Sequence, residues 1–175
     1  MFQTILFATD LCVFTPYMLQ HVTALAEHCH SKIVVVHAVE PMGSLATAMV
    51  NTYLPQESSK NFQQENVNSV LVTIKDRVID LLADEFVDGE RGLRFIRDVI
   101  VLPGRPAEVI LSQANEVKAD IIVMGSHGPD PINGFTLGSV TNKVLQLAKI
   151  PVYMVPMLPV ASPKIVNGQR QMSLW

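Results

Sequence analysis

Apolar blocks and helix-period stretches alternate along this chain. "TILFAT" (4–9) is a short apolar run that stops at Asp10, which predicts a strand buried on both faces. Between Pro16 and His30, Leu19, Val22, Leu25, Ala26 and Cys29 recur at steps of three and four, which predicts an amphipathic helix. "KIVVVHAVE" (32–40) is continuous and β-branched, a second buried strand. Residues 41–58 carry no clean period and read as a connection. Val67, Val70, Leu71, Ile74, Val78, Leu81 and Leu82 then trace one face of a long helix over roughly 59–86. After the charged break "DGERG" (88–92), "LRFIRDVIVL" (93–102) reads as a more polar strand at or near a sheet edge. Pro106 suits the first turn of a helix over 104–120, with Val109, Ile110 and Ala114 on its buried face. "DIIVMG" (120–125) is another buried strand, 139–149 another helix, and "PVYMVPML" (151–158) a last strand. The order β-α-β-α-β-α-β-α-β predicts an α/β fold, a single open parallel sheet with helices on both faces. One domain is expected over 1–158. The tail 159–175, with prolines at 159 and 163, is expected to be disordered in the isolated subunit or to pack against a dimer neighbour.

Composition narrows the partners. At 175 residues the chain suits one domain with a real core. It is 49% hydrophobic and only 17% charged, which fits doubly covered strands or surface hidden by oligomerisation. A net charge of −3 gives no electrostatic case for nucleic acid. Two cysteines, Cys12 and Cys29, make no disulfide framework and point to a reducing cytoplasm. The start "MFQTILFATD" lacks a basic region and is interrupted by Asp10, so it is a poor signal peptide. No run approaches the roughly 18 apolar residues of a membrane span. A soluble, cytoplasmic protein without membrane insertion is expected.

The chemistry concentrates in "MGSHGPDPINGFTLGS" (124–139), which puts Gly125, Gly128 and Gly138 between an apolar strand and a helix. In an open α/β sheet, ligands sit beyond the carboxyl ends of the strands, where the strand order reverses. If the first and fourth strands are neighbours, Asp10 and this loop flank one crevice. The helix starting near Ser139 would offer unpaired N–H groups and a positive dipole end to an anion, with hydroxyls from Ser139 and Thr141. A lysine-bearing phosphate loop is excluded, because Gly138 stands where the lysine would precede the hydroxyl. The dinucleotide spacing G-x-G-x-x-G is absent too. Phosphate charge would then fall to amides, hydroxyls and a divalent metal such as Mg²⁺. Equally, Gly125 and Gly128 could simply turn the chain while Gly138-Ser139 caps a helix. On the glycines alone the two readings stand level.

The spacing Gly125-x2-Gly128-x9-Gly138-Ser139 resembles the G-x2-G-x9-G-[S/T] signature of the nucleotide-binding branch of the universal stress protein family. "ILFATD", "VVVHAVE", "GRPAEVILSQANEVKADIIVMGSHG" and "GSVTNKVLQLAKIPVYMVP" resemble the family's other motifs in the same order, over about residues 1–157. The resemblance implies a five-stranded, Rossmann-like parallel sheet of the adenine nucleotide alpha hydrolase-like type. It also implies ATP or another adenine nucleotide as ligand, Mg²⁺ with it, and a homodimer through the last strand. Carried over residue by residue, Ala8, Thr9 and Asp10 would border base and ribose, and Ala38 would line the adenine pocket. Met124 and Gly125 would continue that wall, while Gly128, Gly138, Ser139, Val140 and Thr141 would hold the phosphates. Cys12 and Phe14 depart from the pattern, standing where members often carry small polar residues. Pro129 and Pro131 stiffen the loop.

Other candidates carry less. His127 has no identifiable carboxylate partner, and Asp130 reads as a solvated loop carboxylate. His37 reads as hydrogen-bonded structure at a strand end. His28, Cys29 and His30 are too closely spaced on one helix to converge on a metal. Met42, Met49, Met124, Met154 and Met157 read as pliable packing. No catalytic constellation and no metal site emerge. The expected function is an adenine-nucleotide-binding, dimeric stress sensor or regulator with an unknown protein partner. The alternatives are a slow ATP hydrolase or phosphoryl-transfer enzyme, and a nucleotide-independent interaction module.

Overall fold

A computed structural model describes residues 2–12, 14–40, 71–77, 79–80, 83, 93–127, 137–157, 164–166 and 169–171. Five strands, β1 (Thr4–Ala8), β2 (Lys32–Val39), β3 (Ile96–Pro103), β4 (Ile121–Gly125) and β5 (Val152–Val155), form one sheet in the order β3-β2-β1-β4-β5. Every pairing is parallel, with Phe7 opposite Val35 on one side and Val123 on the other. The chain therefore winds outward from β1 to β3, returns across the sheet, and winds outward again from β4 to β5. The reversal lies between β1 and β4.

Helix α1 (Thr15–Cys29) covers one face, while α2 (Pro106–Glu116) and α3 (Ser139–Leu147) cover the other. The continuous apolar runs of the sequence follow from this double cover, since successive residues point into different cores. Ile5, Phe7, Ile33, Val35, Ile121 and Val123 pack with Met18, Leu19, Val22 and Ala26 of α1. Leu6, Ala8, Val34, Val36, Ile122 and Met124 pack with Ala107, Ile110 and Ala114 of α2 and Val144 of α3. Residues 71–77 are helical, in agreement with the long amphipathic pattern, and Ile74 packs on the α1 side. The connection over 41–58 lies outside the described residues.

Several boundaries moved for local reasons. β3 lies at a sheet edge as its polarity predicts, but begins at Ile96, after Leu93 closes a helical turn. α2 ends at Glu116, because Lys118 adopts a left-handed φ of 53° and Ala119 N–H closes onto Ala114 O at 2.8 Å. In the tail, Lys164–Val166 and Gln169–Gln171 pair antiparallel. The dipeptide Asn167-Gly168 between them is a strong hairpin signal that prolines 159 and 163 overshadow in the sequence.

The turn before β4 also clamps β1. Asp120 Oδ2 accepts N–H bonds from Gln3 at 2.7 Å and Thr4 at 2.9 Å, which fixes where β1 starts against β4. The Thr4 amide, then the Gln3 amide, hold its carboxyl below the ordinary carboxylate range. A carboxylate lowered in the folded state adds stability in full above its unfolded pKa of about 4, and the gain is lost as pH falls through the lower folded value. Asp120→Asn is expected to cost about 1 kcal/mol at neutral pH. Urea midpoints measured from pH 6 down to pH 2 should converge with wild type as the medium becomes acid.

Candidate functional site

β1 ends at Ala8, and the next residues turn sharply over the sheet's carboxyl edge. Thr9 N–H still bonds Val36 O at 3.0 Å, and Thr9 Oγ1 accepts Leu11 N–H at 3.1 Å. Leu11 takes a left-handed φ of 59°, so Asp10 Oδ1 can accept Cys12 N–H at 3.1 Å. This Asx turn sets the exposed carboxylate of Asp10 at the end of β1. Burial pushes the Cys12 thiol up to about 11, and a hydrogen bond to Asp10 adds to the rise. Cys12 thus stays protonated at neutral pH. It serves as a weak donor to Asp10, the kind of contact a small polar residue would make there.

On the neighbouring strand, β4 ends at Gly125. Ser126 carries the chain on, its N–H bonded to Val155 O at 2.9 Å and its Oγ accepting Met157 N–H at 2.9 Å. Where the loop returns, Gly138 N–H bonds Ser126 O at 2.9 Å and α3 begins. A Cβ on Gly138 would lie 3.0 Å from His127 Cα and 3.5 Å from Thr141 Oγ1. A Cβ on Gly125 would lie 2.5 Å from Met157 Cε. Met157 Cε is the far end of a flexible side chain that can swing aside, whereas the His127 backbone leaves a Cβ on Gly138 little room.

The first helical bond of α3 is Asn142 N–H to Gly138 O at 2.8 Å, and no side chain caps the helix. The amides of Ser139, Val140 and Thr141 thus precede the first carbonyl that the helix can offer a donor, and the dipole there is positive. Thr141 is 3% exposed, and its hydroxyl donates to Gly125 O at 2.9 Å, so that proton ties α3 to β4. Thr141 offers an incoming anion its amide. Ser139 stands exposed beside it.

These parts enclose a cavity of about 570 Å³, within the range of small-ligand sites. Ala8, Thr9, Asp10, Ala38, Met124, Gly125, Gly138, Ser139, Val140 and Thr141 all line it, so ten of the eleven residues singled out from sequence come together. The eleventh, Gly128, lies outside the described residues, as do Pro129, Asp130 and Pro131. Met18, Val36, Ile110 and Met157 add apolar wall, with Pro106 and Leu137 at the α2 and α3 sides. His37, Glu40 and His127 also line it, and no lysine or arginine does among the described residues. Glu40 was missed because an acidic residue just past a strand end carries no distinctive pattern. Lys143 of α3, the nearest cation along that helix, is held 3.1 Å from Glu108 of α2.

A model of the universal stress protein family matches residues 1–156. The chain is 32% identical over 155 residues to a universal stress protein of Thermus aquaticus, covering 89% of this chain and 99% of that one. The solved structure of universal stress protein UspA from Lactobacillus plantarum superposes with a TM-score of 0.65 at 16% identity, over 87% of this chain and 97% of that one. That of a universal stress protein from Archaeoglobus fulgidus in complex with dAMP gives 0.52 at 20% identity, over 87% and 96%. At such identities these two likenesses show the fold.

Gly138→Val is expected to lower stability by about 1–3 kcal/mol through overpacking against His127. Urea denaturation checks this, and an unchanged midpoint would show that the loop ends yield freely.

Proposed function

The chain belongs to the universal stress protein family, and on that premise we propose that it binds an adenine nucleotide in the β1–β4 cleft and acts as a stress sensor or regulator. The observation that carries this reading is the division of the cavity into a donor end and an acceptor end. At the α3 end, the Ser139, Val140 and Thr141 amides and the Ser139 hydroxyl suit phosphate oxygens. At the β1 end, the exposed carboxylate of Asp10 suits ribose hydroxyls. Apolar walls from Ala38, Val36, Met124 and Ile110 suit the faces of a base. The dAMP complex of the Archaeoglobus fulgidus protein supports the choice of adenine. With Asp10 and Glu40 in the lining and no lysine or arginine there among the described residues, a triphosphate such as ATP calls for Mg²⁺ to offset its charge.

Titration calorimetry of nucleotide-free protein with ATP, ADP and AMP, with and without Mg²⁺, tests the reading. Binding is expected, with Mg²⁺ helping ATP more than AMP. Asp10→Ala should weaken it by about tenfold or more, as for loss of a charged acceptor. Absence of any heat at millimolar ligand would falsify nucleotide binding.

The same reading includes a homodimer through β5, a sheet edge in this chain. Leu145, Leu147, Tyr153 and Met154 are all exposed, and all lie on α3 or β5. Apolar side chains along an open strand edge favour a symmetric partner. Sedimentation velocity should give twice the monomer mass for wild type and a monomer for Met154→Glu, with circular dichroism unchanged. A monomeric wild type would refute this interface.

A further inference from the structure

A second cavity, of about 610 Å³, lies away from the cleft, where α2 and α3 run down to the amino edge of the sheet. Its floor belongs to the second core: Ala114 of α2, with Ala119 and Ile122 about the start of β4, is buried there. Leu111 adds half-buried apolar wall, and Leu147 at the end of α3 is 53% exposed. Past Leu111, α2 contributes only the short side chains Ser112, Ala114 and Asn115, which leaves the space beside α3 unfilled.

Lys118, in the turn before β4, and Lys149, in the turn before β5, line the same cavity. β4 and β5 are parallel neighbours, with Ile122 beside Val152, so both lysines stand at one end of the groove. Neither ammonium group has an ion-pair or hydrogen-bond partner among the described residues, unlike Arg94, Arg105 and Lys143. No carboxylate lines the cavity among those residues either. A helix C-terminus favours a nearby cation, which accounts for each lysine singly. It does not account for the apolar space the two share. Leu111 lies about 7 Å along α2 from its last residue, Glu116, so apolar wall continues well inside the cationic end.

We propose that this groove binds a single-chain amphipathic carboxylate, its head between Lys118 and Lys149 and its chain over Ala114, Ile122 and Leu147. Withdrawing the chain from water supplies the affinity, and the two charges fix its direction. A peptide suits the groove less, because its backbone N–H and C=O groups would lie over alanine and isoleucine side chains that offer them no partner. The site is at the opposite edge of the sheet from the nucleotide cleft and does not depend on that reading.

The probes are octanoate, 1-octanol, which keeps the chain without the charge, and acetate, which keeps the charge without the chain. Calorimetry of the intact chain should show saturable octanoate binding, about fivefold tighter than that of 1-octanol, and no heat from acetate. The preference should fade at high salt and vanish in Lys118→Gln/Lys149→Gln, which changes two exposed positions. Ser112→Phe, also at an exposed position, should fill the space and weaken both chain ligands alike. In ¹H–¹⁵N spectra octanoate should move the Lys118, Ala119 and Lys149 amides and leave those of Ser139, Val140 and Thr141 in place, with or without AMP. The proposal is overturned by absence of saturable binding, by equal affinity for octanoate and 1-octanol, or by acetate binding as well as octanoate. A preference that survives the double lysine change overturns it too. Shifts confined to Ser139, Val140 and Thr141 would put the carboxylate in the nucleotide cleft, and binding seen only in Met154→Glu would make the groove a contact between copies; either result also overturns it. A silent AMP titration leaves this site standing, and a silent octanoate titration leaves the nucleotide reading standing.

Discussion

The pairing of β1 with β4 is the constraint on which the rest of this molecule depends. Ile5, Leu6 and Phe7 run beside Ile121, Ile122 and Val123 although more than a hundred residues separate them in the chain. Their contact is what reverses the winding of the sheet. The connections leaving these two strands go to opposite faces, which opens a crevice at their carboxyl ends. Asp120 clamps the opposite end of the same pair, which keeps Asp10 and Gly125 level at the cleft.

Everything polar in the cleft follows from how each strand stops. β1 stops in an Asx turn that directs an acceptor inward. Near the end of β2, the His37 ring bonds through Nδ1 to the Thr9 carbonyl just past β1. β4 stops at a glycine pinned by Thr141 from the incoming helix. The donors on one side are thus backbone amides, and the acceptors on the other are side chains. On the proposed nucleotide reading, phosphates seated at α3 keep clear of Asp10 and Glu40 at the opposite end.

Much of this was legible in the sequence, because both core faces draw on strands that are apolar throughout. "TILFAT", "KIVVVHAVE" and "DIIVMG" needed no tertiary information to be read as buried strands, and a parallel sheet followed from the helices between them. The cleft was legible only in part. Asp10, Gly138 and Ser139 carry spacing, whereas Glu40 carries none, and the tautomer of His37 depends on a carbonyl twenty-eight residues away. In the tail, Lys164–Val166 pairs with Gln169–Gln171, a pairing that prolines 159 and 163 and weak periodicity did not suggest. Helix ends shifted for a related reason. The left-handed backbone at Lys118 that ends α2 is a property of the turn it makes onto β4 and leaves no mark in the hydrophobic period.

The glycine spacing has a physical meaning wider than ligand contact. A Cβ at Gly138 would press on the backbone of His127, while one at Gly125 would displace only the tip of Met157. The close approach of Ser126 to Gly138 brings the start of α3 back over the end of β4 and sets its first amides at the cleft. A chain that kept this packing but lost Asp10 would keep the glycine pattern and much of the anion seat. The signature therefore reports a loop that closes on itself at the head of a helix. Across the sheet, on β1 and β2, that pattern is silent and the hydrogen bonds are informative.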